Sequence, residues 1–479
     1  MAAAGSSSHG GPPNEHNTNT FSCLPFSLDL PPVECCICYG SSFFHQLQSV
    51  GKSLTSPKGF PLRPAGASLE QQQRQQRQQQ QSDGAGGAPP SAHAEEPPSR
   101  GPPMGDLLLL VPEEGLQEWH ELNIRKNLHH YSSFFGFLSY LGGPRTAAKG
   151  ALQLTRASGV NIFFNCRVPT GRDSPKLCKY GVATTEFVLE DLRHWTCMYT
   201  AGRMQKPVSI NWCGDTRRRD EFASALSINR RNALRLALLL LPEAATLECL
   251  LKQIVSLSYT GDFRVLFAED PNKAQAIVNG QGAALCSIYL PLLLEIPSVH
   301  LEVEGGTLGT QGARGSGGPL STQGTFGTGG GPLLEKAFNR ARSPRGPHDR
   351  GEKFCHLGCE LASIRVRQDR SPEALSALYN PLPLSIRQRA EAVLHHPLRR
   401  YSGFFSGTIQ GPPATTCTPR GPPGGAPAGP PPARALRLGL QQLVFGPTLK
   451  CSLKNAVSAG FGASVLYSLH KLGKRLGLR

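Results

Sequence analysis

Two short stretches carry residue types suited to holding a phosphate and a metal ion. The apolar run VECCICYGSS (33–42) breaks at Tyr39-Gly40-Ser41-Ser42, and MGDLLLLV (104–111) opens on Asp106. A strand ending in Gly-Ser can present backbone N–H groups and a hydroxyl to a phosphate, because glycine permits the close approach and the unusual dihedrals. An acid at the start of a neighbouring strand adds a carboxylate, and Mg²⁺ favours one or two carboxylates together with phosphate oxygens and water. The same residues also fit an ordinary hairpin or βα turn. No Ser/His or Cys/His pair stands out, so the chemistry in view is positioning and charge neutralisation.

Positioning these residues calls for a small sheet. Val33–Tyr39 and Leu107–Val111 are short apolar runs bounded by turn residues, as expected of buried strands, and GVNIFFNCRV, CKYGVAT and KPVSINW read as further strands. Between the last two lies TEFVLEDLRHWTCMYTAGRM, in which Phe187, Leu189, Leu192, Trp195 and Met198 recur at spacings that predict helix. Mixed α and β structure around one small sheet follows.

The 479 residues allow two or more domains, but 53 Gly and 41 Pro mean that much of the chain is not packed core. Residues 68–103, 305–332 and 411–433 are polar or Gly/Pro-rich and cannot bury enough apolar surface to offset the entropy of ordering. The expected organisation is a disordered N-terminus (1–20), an α+β unit (21–220) with an insertion at about 49–103, and a helical unit (221–302). A Gly-rich insertion (303–351), a helical connection (352–410), a Pro/Gly-rich linker (411–434) and a basic tail (435–479) follow.

The 14 cysteines are scattered and come with no secretory signal, which points to a reducing compartment. Cys35, Cys36 and Cys38 read as buried thiols, and Cys355-His356-Cys359 lacks the second ligand pair of a zinc site. No apolar run reaches the roughly 18 residues of a membrane span. The N-terminal twenty residues contain no arginine and include Glu15, a poor match to a mitochondrial transit peptide. The net charge of +16 is uneven: no acid follows Glu391, whereas Arg434, Arg437, Lys450, Lys454, Lys471, Lys474, Arg475 and Arg479 do. Such an end suits an anionic partner, a membrane surface or a nucleic acid.

Four blocks, NLHHYSSFFGFLSYLG, CKYGVATTEFVLEDLRHWTCMYTAGRMQKPVSI, NALRLALLLLPE and LSYTGDFRVLFAEDPNKAQAIV, resemble in order and spacing the mitochondrial phosphatidate cytidylyltransferase family, also called mitochondrial translocator assembly and maintenance proteins. The resemblance covers about 104–280, includes Tyr39-Gly40-Ser41, and returns in LKNAVSAGFGASVLYSLHKLGKRL. Ser42 departs from the family pattern, which has a second glycine there, and a long insertion separates Ser41 from Asp106.

The resemblance implies an α+β fold with a polymerase-β-like nucleotidyltransferase domain, a helical domain and a C-terminal amphipathic helix. It implies transfer of CMP from CTP to phosphatidic acid, giving CDP-diacylglycerol and pyrophosphate, by a peripheral enzyme on the matrix side of the mitochondrial inner membrane. On this reading Gly40 and Ser41 hold the CTP phosphates, and Asp106 binds Mg²⁺, with Asp191 as either a second acid or a solvated helix-face residue. Lys179, Arg203 and Lys206 neutralise phosphates, and Gln205 is available to a base edge or a ribose hydroxyl. Tyr131 stacks on cytosine or belongs to the core, and Asp262 with Arg264 forms an ion pair or assists the lipid phosphate.

From Leu453 the apolar residues Leu453, Val457, Phe461, Val465, Leu469, Leu472 and Leu476 recur every three or four positions among cations, a stripe suited to an anionic membrane interface. Packing of this helix on the protein core is the alternative. No nucleic-acid partner is expected, because the uninterrupted positive charge is concentrated at an amphipathic tail. A nucleotidyltransferase acting on RNA or protein, and a non-catalytic assembly or scaffold protein, are the competing readings.

Overall fold

The computed structural model describes residues 28–40, 105–170, 177–266, 272–303, 306–308, 361–395 and 430–458. Ser41, the Gln-rich insertion, most of the Gly-rich insertion, Cys355-His356-Cys359, most of the Pro/Gly-rich linker and residues 459–479 of the tail lie outside the described residues.

A five-stranded sheet is built from β1 (Cys35–Tyr39), β2 (Gly105–Val111), β3 (Ile162–Pro169), β4 (Leu177–Thr184) and β5 (Ser209–Trp212), in the order β3-β4-β2-β1-β5. β2 and β4 are parallel and the other pairs antiparallel. Both faces are covered, which is why the strand sequences read as continuous apolar runs. One face sends Cys35, Ile37, Leu108, Leu110, Phe164 and Ala183 into the main core. The other sends Cys36, Cys38, Leu107, Leu109, Tyr180 and Val182 towards Leu116 and Trp119 of α1 (Leu116–Asn127) and Leu152 of α2 (Ser133–Ala157). The three β1 cysteines are buried free thiols.

The helical pattern after β4 forms two helices, α3 (Thr185–His194) and α4 (Ala201–Met204). The break has an identifiable cause in Asp191. Its fully buried carboxylate accepts from the backbone N–H groups of Cys197, Met198, Thr200 and Ala201 and from the hydroxyls of Thr196 and Thr200. These donors draw the chain into a loop that a continuous helix would not make, with Trp195 at φ +51° and Met198 at φ +55°.

The boundary expected near residue 220 falls inside α5 (Thr216–Leu240), whose Phe222, Ala225, Leu226, Ala233, Leu236 and Ala237 bind the first sheet and the following helices into one core. A second sheet, order β6-β9-β7-β8, joins β6 (Ala244–Thr246), β7 (Val299–Val303), β8 (Gly306–Leu308) and β9 (Arg365–Gln368) around α6 (Leu247–Ser256) and α7 (Lys273–Leu294). The segment 352–410, expected to be helical, thus also supplies a strand before α8 (Pro372–Tyr379) and α9 (Leu384–His395).

α10 (Ala433–Ser458) takes up the expected linker's end and the start of the tail, and it packs on the protein rather than standing apart. Leu436, Leu440, Leu443, Val444 and Cys451 are buried in the main core. Lys454, expected among lipid-facing cations, is instead buried, and its ammonium donates to the carbonyl oxygens of Val160 (2.8 Å) and Ile162. Burial pushes its pKa down, and the two carbonyls supply the acceptors that a desolvated ammonium requires. Leu453 and Val457, the first two residues of the apolar stripe, are exposed on this docked helix.

Gly261 fixes where α10 lies. At φ +84°, a Cβ there would fall 2.6 Å from both Cα and the carbonyl oxygen of Gln441. Gly261→Ala therefore combines a left-handed backbone penalty with a backbone clash, and a loss of about 2–4 kcal/mol in urea unfolding is expected.

Candidate active site

The register of the first sheet aligns three polar side chains in one row, because Tyr39 pairs with Asp106 and Asp106 pairs with Lys179. Strand alternation puts this row on the face that carries Ile37, Leu108 and Phe164. Gly40 ends β1 at φ +92°, and a Cβ on it would sit 3.1 Å from Asp106 Oδ2. A glycine there keeps the space beside the carboxylate open. The Lys179 ammonium lies 4.4 Å from the centroid of the Phe164 ring. Burial acts to lower its pKa, Cys166, Tyr39, Tyr199 and Asp106 act to raise it, and the net direction is up. Near neutral pH only the Asp106 carboxylate among these carries charge, because burial raises the thiol and phenol pKa values too.

Above the row sit the residues of α4 and the loop before it. The Arg203 guanidinium lies 4.0 Å from the Tyr199 ring centroid and 5.4 Å from that of Tyr39, and its Nη1 donates to the Tyr199 carbonyl at 2.6 Å. Two tyrosines thus orient the planar cation. The Lys206 ammonium donates to the Gly202 carbonyl (2.8 Å) and the Ser258 hydroxyl (2.6 Å) and lies 4.7 Å from the Tyr259 ring centroid. Lys273, at the start of α7, approaches the same ring at 5.6 Å. Arg264 makes a two-pronged ion pair with Asp262, Nε to Oδ1 at 3.1 Å and Nη2 to Oδ2 at 2.6 Å. Burial, reinforced by the fields of Arg203, Lys273 and Arg264, pushes Lys206 down to about 7.

The structure thus brings together Gly40, Asp106, Lys179 and Arg203, with Lys206, Asp262 and Arg264 in the adjoining cationic neighbourhood. Tyr131, expected to stack on a base or to lie in the core, does the second. It is on the opposite face of the sheet, packed against Phe135 and Phe163, and its hydroxyl is hydrogen-bonded to Asn123 and His120 at 3.0 Å. Gln205, expected to be available to a base edge or a ribose hydroxyl, is fully buried: its side-chain nitrogen donates to Asn229 Oδ1 at 3.3 Å, its backbone carbonyl accepts from the Tyr289 hydroxyl at 2.6 Å, and its Oε1 is enclosed with no hydrogen-bond partner among the described residues. Asp191 is neither a solvated residue nor a metal ligand, since its oxygens are committed to the 196–201 loop. Sequence reasoning did not single out Tyr39, Tyr199, Tyr259, Ser258 or Lys273. Each lies beside or within a motif that was read, but the pairings among them join residues distant in the chain.

A carboxylate beside an open glycine and a group of cations thus share one side of a sheet in an α+β scaffold. Residues 26–316, more than half of the chain, match the family model described as mitochondrial phosphatidate cytidylyltransferase, and the chain belongs to that family. Among curated relatives, the mitochondrial phosphatidate cytidylyltransferase of Caenorhabditis briggsae is 40% identical over 184 residues, 38% of this chain and 52% of that protein. Those of Xenopus laevis (38% over 188 residues, 39% and 51%) and Schizosaccharomyces pombe (39% over 199 residues, 41% and 46%) are similar to it as well. The chain spans about half the length of the curated relatives it matches.

The Lys206 shift has a defined sign. The unfolded chain binds more protons than the folded one between about pH 7 and the ordinary lysine value of 10.5, so this residue makes stability rise with pH across that window. Against Lys206→Met, the stability difference should move in favour of the native chain as pH is raised from about 7 to about 10, measured as urea midpoints of the two proteins.

Proposed function

We propose that this chain is a CTP:phosphatidate cytidylyltransferase with a polymerase-β-like catalytic domain. The observation that carries the reading is the row Tyr39, Asp106, Lys179 at the Gly40 turn, with Arg203 stacked over it, in a chain of this family. A phosphate oxygen of phosphatidic acid attacks the α-phosphorus of CTP. The new P–O–P bond forms as the bond to the β-phosphate bridging oxygen breaks, and pyrophosphate leaves with that electron pair. The nucleophile is already anionic, so no side chain has to remove a proton from it.

The residues present fit Mg²⁺. Asp106 supplies one carboxylate beside the space that a Gly40 side chain would fill, and among the described residues no cluster of three or more His, Cys, Asp or Glu points to a closed metal cage. Bound there with the triphosphate, Mg²⁺ would supply charge neutralisation on the phosphate oxygens. Lys179 and Arg203 orient and neutralise the CTP phosphates. Lys206 and Arg264, with Lys273 beside them, form the cationic side that receives the second anionic reactant. Polyanion binding raises the Lys206 pKa and relieves repulsion that the free site sustains.

The setting is a membrane surface in the mitochondrion, the organelle named for the relatives. The stripe that begins with exposed Leu453 and Val457 supports contact of the tail beyond Ser458 with anionic lipid at the inner membrane.

Two outcomes are expected. Radiolabel from CTP should enter chloroform-soluble lipid when phosphatidic acid vesicles and Mg²⁺ are supplied, and Asp106→Ala should lower the rate by about 10²-fold or more. No label from the folded native chain would favour the scaffold reading. Ending the chain after Ser458 should leave the fold intact by thermal unfolding while weakening sedimentation with cardiolipin-containing vesicles by about tenfold or more.

A further inference from the structure

The N-terminal limb of α2 displays its aromatic residues to solvent. Phe134, Phe137, Tyr140 and Leu141 are 49%, 57%, 87% and 64% exposed, whereas Phe135 is fully buried and Leu138 packs inward. Their spacing puts the exposed four on one side of the helix. The limb ends at Gly142 and Gly143, where the backbone leaves helical geometry, and Pro144 opens the returning limb. A Cβ on Gly150 would lie 3.0 Å from Leu138 Cδ1, so the two limbs are packed against each other as a helical hairpin. Large apolar side chains clustered on one surface are unusual unless something covers them.

The charge around the hairpin identifies the partner. From residue 122 to residue 172 the sequence has no acid, and Arg145, Lys149 and Arg156 on the returning limb are exposed. Aromatic and aliphatic side chains flanked by cations, in a stretch of sequence without acids, match the boundary between acyl chains and anionic headgroups.

We propose that residues 134–141 form a second membrane contact, a hairpin tip that enters the interface of an anionic bilayer independently of the C-terminal tail. This rests on the reading of a lipid substrate, because the contact would hold the enzyme at the surface where that substrate resides.

The test uses the full chain and vesicles of phosphatidylcholine with phosphatidylglycerol, without CTP or phosphatidic acid, so that lipid contact and catalysis are read separately. The quadruple variant Phe134→Ser, Phe137→Ser, Tyr140→Ser, Leu141→Ser should sediment with these vesicles several-fold less than the native chain, with its thermal unfolding unchanged. Its rate on detergent-dispersed short-chain phosphatidic acid should equal that of the native chain, and its rate on vesicles should fall. In the separate variant Phe137→Trp, emission from position 137 should shift to the blue on vesicle addition and be quenched by brominated lipid. Unquenched emission together with undiminished sedimentation would overturn the proposal. So would conversion of a native dimer to a monomer by the quadruple variant with vesicle binding retained, which would give the patch to a second copy of the chain. A native chain that binds vesicles through this patch but makes no labelled lipid would defeat the catalytic reading and leave the contact standing.

Discussion

Burying like charges together sets the terms for this structure. Arg203, Lys206, Arg264 and Lys273 share one half-buried neighbourhood, and the Lys206 ammonium is destabilised first by burial and then by the other three. Two like charges ~5 Å apart at an effective dielectric constant of ~20 repel by ~3 kcal/mol. The fold has to supply the compensation before any ligand arrives. It does so with tyrosine rings under Arg203 and Lys206, with carbonyls at Tyr199 and Gly202, and with the Asp262 carboxylate on Arg264. A polyanion entering this neighbourhood therefore stabilises the folded state as it binds.

The supports for these cations are themselves held from a distance. Asp191 shapes the loop that carries Tyr199 and leads into Arg203. Phe263, beside Arg264, donates its backbone N–H to the Thr448 hydroxyl of α10 at 3.2 Å, and Gly261 admits the backbone of Gln441. The positions of these cations thus depend on a buried carboxylate outside the group, Asp191, and on a helix nearly two hundred residues away in sequence.

This distribution explains which parts were legible in the sequence. The strands were, because a sheet covered on both faces imposes unbroken apolar runs such as CCICY and GDLLLLV. Asp106 and Gly40 were legible as a pair because turn chemistry and an acid at a strand start are local signals. Asp191, Tyr131 and Gln205 were harder: an acid, an aromatic and an amide inside a motif look the same whether they meet a ligand or the protein. Only burial separates the cases, and burial is a property of the whole chain. Lys454 is the extreme instance. A lysine in an amphipathic repeat reads as a surface cation, yet it fills a polar vacancy at the carbonyls of Val160 and Ile162, nearly three hundred residues upstream.

The placement of α10 also bears on how the protein is made. A domain whose core closes within its own stretch of sequence can fold while the ribosome is still adding residues behind it. Here Leu436, Leu440, Leu443 and Val444 complete the main core, and Lys454 caps the edge of the first sheet. A core that draws on these residues closes only once they have been added. Until then the part of the core that α10 covers, and the carbonyls of Val160 and Ile162, await their partners.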